Sequence, residues 1–564
     1  MASQNEQQVA KIIVDSLYNA GVRTVFGIPG AKVDAVFDTL SDHSEIKLIV
    51  CRHEQNAAFM AAATGRITGV PGVCIATSGP GAGNLTTGLV TATTEGDPVV
   101  AIVGSVPRLL NTKHTHQSMK ALEILGPTSK SAMNIDVEDV AAEIVLAAFR
   151  TATTSPKGSA VVSLPMDIAS GKSKITAFQP SAFKAPLYGP APPESIQKVA
   201  RLLENAKRPV LFLGQRASSH IVVEALHKFL DKHTIPVIET FQAAGAISEE
   251  LAPKVFFGRV GLFRNQIGDR LLQNSDLILT LGYDPTEYDA SSWNPSGNLP
   301  IVHIDYTSCE FGTYYHPDIE LLGSVRETLR ALASEVKQVT NPSDDPLCQR
   351  LQQETKAQIE QINSTKPNTG GPVHPLHFVS ALQARVSPST TVTCDVGTVY
   401  IYIMRHYRAY QPRHLLCSNG QQTLGVGMPW AIAASLAQSP PCSAKVVSLS
   451  GDGGFMFSAQ ELATAVQQKC NITHFVWNDE AFNMVEFQEE MKYGRSSGIA
   501  LGGVDFVKLA EAFGARGFRV SEAGELERVM EEALAFEGVA LVDVRIDYSQ
   551  AKELAGNLLK DSVG

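Results

Sequence analysis

Residues 446 to 485, VVSLSGDGGFMFSAQELATAVQQKCNITHFVWNDEAFNMV, constrain the fold more than any other stretch. An apolar, β-prone run (Val446, Val447, Leu449) breaks at Gly451-Asp452-Gly453-Gly454. Ser458, with Glu461 three positions on, has the pattern of a capping box, and Leu462 and Val466 share one face of the helix it would open. A second apolar run, Phe475-Val476-Trp477, delivers Asn478-Asp479 into a turn. The pattern predicts one βαβ unit, in which both strands point the same way. Asp452 and Asp479, 27 positions apart, therefore emerge together at the carboxyl edge of a parallel sheet, where open α/β sheets bind ligands. Two carboxylates beside glycines that let backbone N–H groups approach a phosphate suit a hard divalent cation bridging protein and diphosphate. Gly-Asp-Gly alone would read as an acidic helix start; the complete unit favours the cation.

The remaining chain repeats this alternation. To about Ser170, strand-like runs at Thr24 to Ile28, Lys47 to Val50, Val73 to Ala76, Pro98 to Val103 and Ala160 to Leu164 alternate with helical patterns. Residues 171–193 are rich in Pro, Lys and small residues and read as a linker. A second α/β segment, 194–340, has candidate strands at Pro209 to Leu213, Pro236 to Glu239, Leu277 to Leu281 and Ile301 to Ile304. Residues 341–372 read as a second linker around a charged helical pattern, 373–550 as a third α/β segment, and 551–564 as a tail. At 564 residues, with about 150 per domain, three α/β domains with doubly wound parallel sheets are expected.

A hydrophobic fraction of 44% and a charged fraction of 18% are those of a globular protein, and no apolar run approaches the roughly 20 residues of a membrane span. The start, MASQNEQQ, has the form of neither a signal nor a transit peptide. A net charge of −10 with no Lys/Arg cluster argues against nucleic acid as partner. Eight cysteines without a CxxC pair indicate neither a zinc site nor a disulfide framework, so a reducing cytoplasm is expected.

The 446–485 unit resembles the cofactor motif of the thiamine-diphosphate-dependent decarboxylase and synthase superfamily. That resemblance implies Mg2+ held by the side chains of Asp452 and Asp479 and the main-chain carbonyl of Ala481, with Gly453, Gly454 and Met484 also in the cofactor site. Many relatives carry Asn where this chain has Asp479, which keeps an oxygen ligand and adds a negative charge. The family's cofactor also needs a carboxylate against its pyrimidine ring, to favour the imino tautomer whose exocyclic nitrogen removes the C2 proton. Val50-Cys51-Arg52-His53-Glu54 resembles the family's turn at that place, so Glu54 would hold the ring; by itself, Glu54 is a helix-start carboxylate favoured by the dipole. Because family members build the site between subunits, Glu54 and Asp452 would meet across a homodimer or homotetramer interface.

Cys74 to Asn84, CIATSGPGAGN, lacks GxGxxG spacing and contains Pro80. It resembles the SGPG loop of the acetohydroxyacid synthase branch; a tight turn needing positive φ explains it equally well. The resemblance places Pro29, Gly30, Thr77, Gly79 and Asn84 on the cofactor and makes Gln117 a catalytic and substrate candidate. Asp395-Val396-Gly397-Thr398 resembles the first diphosphate contact, through Gly397 and Thr398. In Ser418 to Gly427, Leu424 would wedge between the cofactor's rings and the Gln422 carbonyl would take its amino hydrogen bond, with core packing the plain alternative for Leu424.

Over nearly its whole length the chain resembles the catabolic acetolactate synthases, in stretches such as RHEQNAAFMAAATGRITG (52–69) and SNGQQTLGVGMPWAI (418–432). The biosynthetic branch carries FAD on an arginine-rich segment after a strand ending Leu-Gly. Here Leu281-Gly282 is followed by acidic Tyr283-Asp284-Pro285-Thr286-Glu287-Tyr288, so no FAD is expected. That branch also has a tryptophan where this chain has Gln488, which suggests pyruvate is used twice; Lys32 and Gln421 are further substrate candidates. The implied reaction joins two pyruvates into 2-acetolactate and CO2. Simple pyruvate decarboxylation or oxidation is the nearest alternative, and a non-catalytic nucleotide-binding subunit the alternative of another class.

Overall fold

A computed structural model describes residues 6–262, 266–364 and 370–549. The tail expected at 551–564 lies outside the described residues. Three six-stranded parallel sheets follow one another along the chain. Their inner strands are almost wholly buried, the continuous apolar pattern of sheets covered by helices on both faces.

In the first sheet, strands β1 (Thr24–Gly27), β2 (Lys47–Val50), β3 (Gly72–Ala76), β4 (Val99–Ser105), β5 (Ser131–Asn134) and β6 (Ser159–Pro165) are ordered 2-1-3-4-6-5. The central sheet contains β7 (Pro209–Leu213), β8 (Val237–Thr240), β9 (Phe256–Val260), β10 (Leu277–Leu281), β11 (Ile301–Asp305) and β12 (Ile319–Leu322), ordered 9-8-7-10-11-12. The third contains β13 (Thr391–Cys394), β14 (Leu415–Cys417), β15 (Val446–Gly451), β16 (Ile472–Asn478), β17 (Arg516–Val520) and β18 (Val539–Arg545), ordered 14-13-15-16-18-17. The first and third sheets thus share one winding order, with switch points between β1 and β3 and between β13 and β15. In the central sheet the order reverses between β7 and β10. Asp452 and Asp479 do leave neighbouring parallel strands, since β15 pairs with β16 from Val446↔Ile472 to Gly451↔Trp477.

The strands not anticipated in the first two segments, β5, β9 and β12, are all sheet edges, where one flank is unpaired and the apolar signal is weaker. Residues 341–372 contain an 18-residue helix, Pro346–Asn363, whose Cys348 and Leu351 bury into the second core of the central domain. Lys172–Ser173, in the Pro-rich stretch, pairs antiparallel with Gln7–Gln8.

The capping box expected at Ser458 does not form. The helix begins directly after β15, at Asp452–Met456, and the next, Glu461–Gln467, has Gln460 at its N-cap position with no side-chain cap. Glu461 is taken up elsewhere: its Oε1 accepts the N–H groups of Arg52 (2.9 Å) and His53 (3.1 Å) and the Asn56 amide (3.1 Å). Three donors from the first domain outcompete a local cap.

Two helices join the outer domains. Gly427–Leu436 is buried all round, as an apolar helix without a polar face must be. It packs on Glu54–Thr68, whose Ala57, Ala58, Ala61, Ala62 and Ala63 allow close approach, and one continuous core runs through both. The Arg66 guanidinium lies 4.6 Å from the Trp430 ring. Among the described residues, no helix is long and apolar enough to cross a membrane.

Candidate active site

The third-domain half of the site forms at the switch point between β13 and β15. Buried Asp395, one residue past β13, accepts N–H groups from Val396 (2.8 Å), Gly425 (3.0 Å) and Gly427 (3.3 Å). Burial pushes its carboxyl up to about 7 despite these donors. Gly397 has φ +130° with open space where a Cβ would stand, and it precedes the helix Thr398–His406. Thr398 Oγ1 donates to Asn483 Oδ1 at 3.0 Å.

Asp452 ties the carboxyl ends of β15 and β16 together. Its Oδ1 accepts the N–H of Gly453 (2.7 Å) and its Oδ2 that of Glu480 (2.7 Å). Glu480 takes φ +60°, a strained value for a residue with a side chain, so the turn is held by its surroundings. Asp479, just before it, is brought beside Asp452. Burial, and then the charges of Asp452 and Glu486, push the Asp479 carboxyl up to about 7. Burial raises Asp452 as well. Two carboxylates so placed fit a divalent cation, which would relieve both penalties at once. Ala481 forms a bridge with Ala500, which lies beyond the helix Asn483–Tyr493.

Glycine is required around this pair. A Cβ on Gly453 would lie 2.5 Å from the Phe482 ring, and one on Gly454 would lie 3.3 Å from Asp395 Cγ and 3.5 Å from Leu424 Cδ2. The Leu424 side chain therefore stands over Gly454, in company with the acidic pair, while Gln422 turns the chain with φ +48°. A cavity of about 250 Å3 opens alongside, lined by Asp479, Asn483, Glu486, Phe487, Glu490 and Tyr548. Met484 packs against the domain core. Asn483, Glu486 and Tyr548 were not anticipated. Their signal is weak in a linear chain, because Tyr548 reaches the cavity from the segment after β18, far in sequence from Asp479.

Asp479 supplies a pH prediction. Its folded pKa lies above the ordinary carboxylate value, so the folded chain binds this proton more tightly and loses the corresponding stability as pH rises from about 4 to about 7. Asp479→Asn is expected to flatten that dependence and to raise the melting temperature of cation-free protein at pH 8 by roughly 2–4 °C, for about 1 kcal/mol after screening. Thermal melts at pH 5 and pH 8 in chelator read both.

The first-domain half lies at the other switch point. Loops after β1 and β3 touch: a Cβ on Gly30, next to Pro29, would lie 2.5 Å from the Thr77 Cβ. Gly79 has φ +66° and opens the short helix Pro80–Asn84, so the positive-φ turn considered for this loop is present. Glu54 is the first residue of its helix and 8% exposed. One of its oxygens, Oε2, accepts from Asn84 Nδ2 at 2.9 Å; the other would lie 3.2 Å from a Cβ on Gly81. Gln117, at φ +60°, packs on Gly79, and Lys32 crosses Gly104 at the end of β4. The hydroxyls of Thr77 and Ser78 are buried without a hydrogen-bond partner, which suits a polar ligand arriving here.

Two of the predicted residues point elsewhere. Gln421 turns away to the seam between domains, its Nε2 donating to Thr94 Oγ1 at 2.9 Å. Gln488 is exposed on the helix Asn483–Tyr493.

The central switch point is closed by its own side chains. Arg216, after β7, binds Asp284 (2.8 Å), Asp305 (2.7 Å) and the Tyr283 carbonyl (2.8 Å). Glu287 accepts the Gln215 N–H (3.0 Å) and the Thr240 hydroxyl (2.5 Å). A Cβ on Gly214 would lie 2.4 Å from the Gly282 carbonyl oxygen. Asp284 of the acidic segment is thus paired with an arginine from another loop, which its own sequence does not reveal.

Three family descriptions match in the same order as the three sheets. Residues 7–124 match the N-terminal TPP binding domain of thiamine pyrophosphate enzymes, 196–332 their central domain and 395–544 their C-terminal TPP binding domain. The chain is 43% identical over 557 residues to an acetolactate synthase of Bacillus subtilis, covering 98% of this chain and 96% of that protein. It is 44% identical over 557 residues to the catabolic acetolactate synthase of Raoultella terrigena, with 97% of each covered. A probable acetolactate synthase large subunit of Methanocaldococcus jannaschii is 30% identical, over 96% of this chain and 92% of that one. The two half-sites, each at the switch point of an outer sheet, and these full-length likenesses lead to one conclusion: this chain belongs to the family of thiamine pyrophosphate-dependent enzymes.

Proposed function

We propose that the chain is an acetolactate synthase, condensing two pyruvates into 2-acetolactate and CO2 with thiamine diphosphate and Mg2+, and without FAD. The observation that carries this reading is the pairing of two complementary half-sites, Asp452 with Asp479 and Glu54 with Asn84, in a chain 43–44% identical throughout to acetolactate synthases. When bound, thiamine diphosphate supplies an electron sink for decarboxylation of a 2-keto acid. Asp452, Asp479 and the Ala481 carbonyl would hold the cation, and Gly397, Thr398, Gly453 and Gly454 would leave room for phosphate oxygens. Glu54 would hold a proton at the pyrimidine ring, and Asn84, which donates to its Oε2, fixes the orientation of its carboxylate. Leu424 and Phe482 keep apolar surface against the reacting region and exclude water. Gln117 and Lys32 orient the incoming pyruvate.

Asn84 holds Glu54 in the first domain and Asp452 lies in the third; by likeness to family members that build this site between subunits, the complete site is assigned to two copies of the chain, a homodimer or a homotetramer. The closed central crevice supports the absence of FAD, because a bound pyrophosphate would have to displace Arg216 from Asp284 and Asp305. Eight cysteines, all unpaired, suit the cytoplasm.

Purified protein with pyruvate, thiamine diphosphate and Mg2+, assayed with and without FAD, tests the reading. Acetolactate is expected as product, equally in both conditions, with no flavin band near 450 nm. Acetaldehyde or acetyl phosphate instead would assign a decarboxylase or an oxidase. Gln488 is exposed but shares its helix with the cavity-lining Asn483 and Glu486; if it meets the acceptor, Gln488→Ala is expected to change the ratio of 2-ketobutyrate to pyruvate used by about 3-fold or more, while cofactor affinity stays the same. Competition assays with both acids and calorimetric titration of the cofactor read the two quantities separately.

A further inference from the structure

Leu424 and Gln422 sit on a loop, 418–425, that has almost no regular structure of its own, yet Leu424 stands over Gly454 next to Asp452. Something must hold that loop. At its far end Asp395 accepts the Gly425 N–H at 3.0 Å. At its near end the partner comes from another domain. Glu95, 1% exposed, follows the helix Thr86–Thr94 of the first domain. Its Oε1 accepts the Ser418 hydroxyl (2.8 Å) and the N–H groups of Gly420 (3.1 Å) and Gln421 (3.4 Å), and its Oε2 accepts the Asn419 N–H (3.3 Å).

The central domain joins the same knot. Gln242 Nε2 donates to Glu95 Oε2, and the Asn419 side-chain amide donates to the Glu287 carbonyl at 2.5 Å. Thr91 and Thr423 hydroxyls meet at 2.8 Å, and a Cβ on Gly420 would lie 2.6 Å from Thr94. Every group hydrogen-bonded to Glu95 donates, and the nearest cation, Arg66, is 3.7 Å away and already doubly hydrogen-bonded to Asp97 at 2.8 Å. A carboxylate accepting this many donors orders a loop strongly, because a neutral amide in its place would turn an N–H group toward other N–H groups.

We propose that Glu95 is a positioning residue that holds loop 418–425 in the conformation presenting Leu424 and Gln422 to the cofactor, so that all three domains set the shape of the cofactor site. This rests on the proposed thiamine diphosphate site. It assigns the central domain a part in that site although its own crevice is closed.

The test is calorimetric titration of cofactor-free Glu95→Gln with thiamine diphosphate and Mg2+. Affinity is expected to fall about tenfold or more, the scale of lost hydrogen bonds to a charged group. Asp97→Asn, which breaks the neighbouring Arg66 pair without touching the loop, is expected to lower the melting temperature yet change affinity by less than about threefold. In a Leu424→Ala background the effect of Glu95→Gln is expected to shrink, since both act through one loop. If Glu95→Gln does not fold, Glu95→Asp takes its place in both comparisons. Equal affinity losses in the two single variants, or an effect undiminished by Leu424→Ala, would overturn the proposal. A product other than acetolactate would overturn the proposed reaction and leave the affinity comparison to decide the role of Glu95.

Discussion

Replacing Glu54 with Gln is expected to lower kcat by about 10²- to 10⁴-fold, the range of a positioned proton-transfer group, while cofactor affinity falls only a few-fold. The amide keeps the shape and can still meet Asn84, whose Nδ2 now donates to a carboxylate oxygen at 2.9 Å. What it loses is the ability to exchange a proton with the pyrimidine ring. Steady-state kinetics at saturating cofactor, together with a binding titration, separate the two effects. A variant that retained most of its turnover would remove Glu54 from the chemistry and return it to an ordinary helix-start carboxylate.

Asp452→Ala is expected to do the reverse. Its carboxylate has two tasks: it holds the Gly453 and Glu480 N–H groups, both at 2.7 Å, and it provides a cation ligand. Removing it frees the Glu480 turn and leaves the cation with Asp479 alone, so cofactor affinity at millimolar Mg2+ is expected to fall by about 100-fold or more. Titration with and without Mg2+ reads the loss; an unchanged affinity would take the cation away from this pair.

The two variants together test the shared site. In a mixed dimer of Glu54→Gln and Asp452→Ala chains, one site carries both lesions and the other carries neither. At a cofactor concentration that fills wild-type sites but leaves Asp452→Ala sites empty, co-expression is therefore expected to restore about a quarter of wild-type activity from two chains that are each inactive alone, given random pairing in a symmetric dimer. Sites contained within one chain would give none.

Much of this was legible before any fold was known. The strands β1, β3, β7, β10 and β13 stand where the apolar runs placed them, because strands buried on both faces leave an uninterrupted signal. Ser458 misled for the opposite reason. A local cap is read from neighbours in sequence, and Glu461 was drawn away by donors more than 400 positions distant.

The order of residues alone settles that this chain winds parallel sheets and that Asp452 and Asp479 share a sheet edge, since strand direction and a 27-residue spacing leave no other arrangement for them. Only folding in three dimensions decides which charges are neutralised and which loops are held: Arg216 closing on Asp284, Asn84 on Glu54, and Glu95 on residues 418–421. Those contacts join segments far apart in the chain. Their strength comes from burial, which makes each unpaired charge costly and each pairing specific, and burial is a property of the packed domains and of no local stretch.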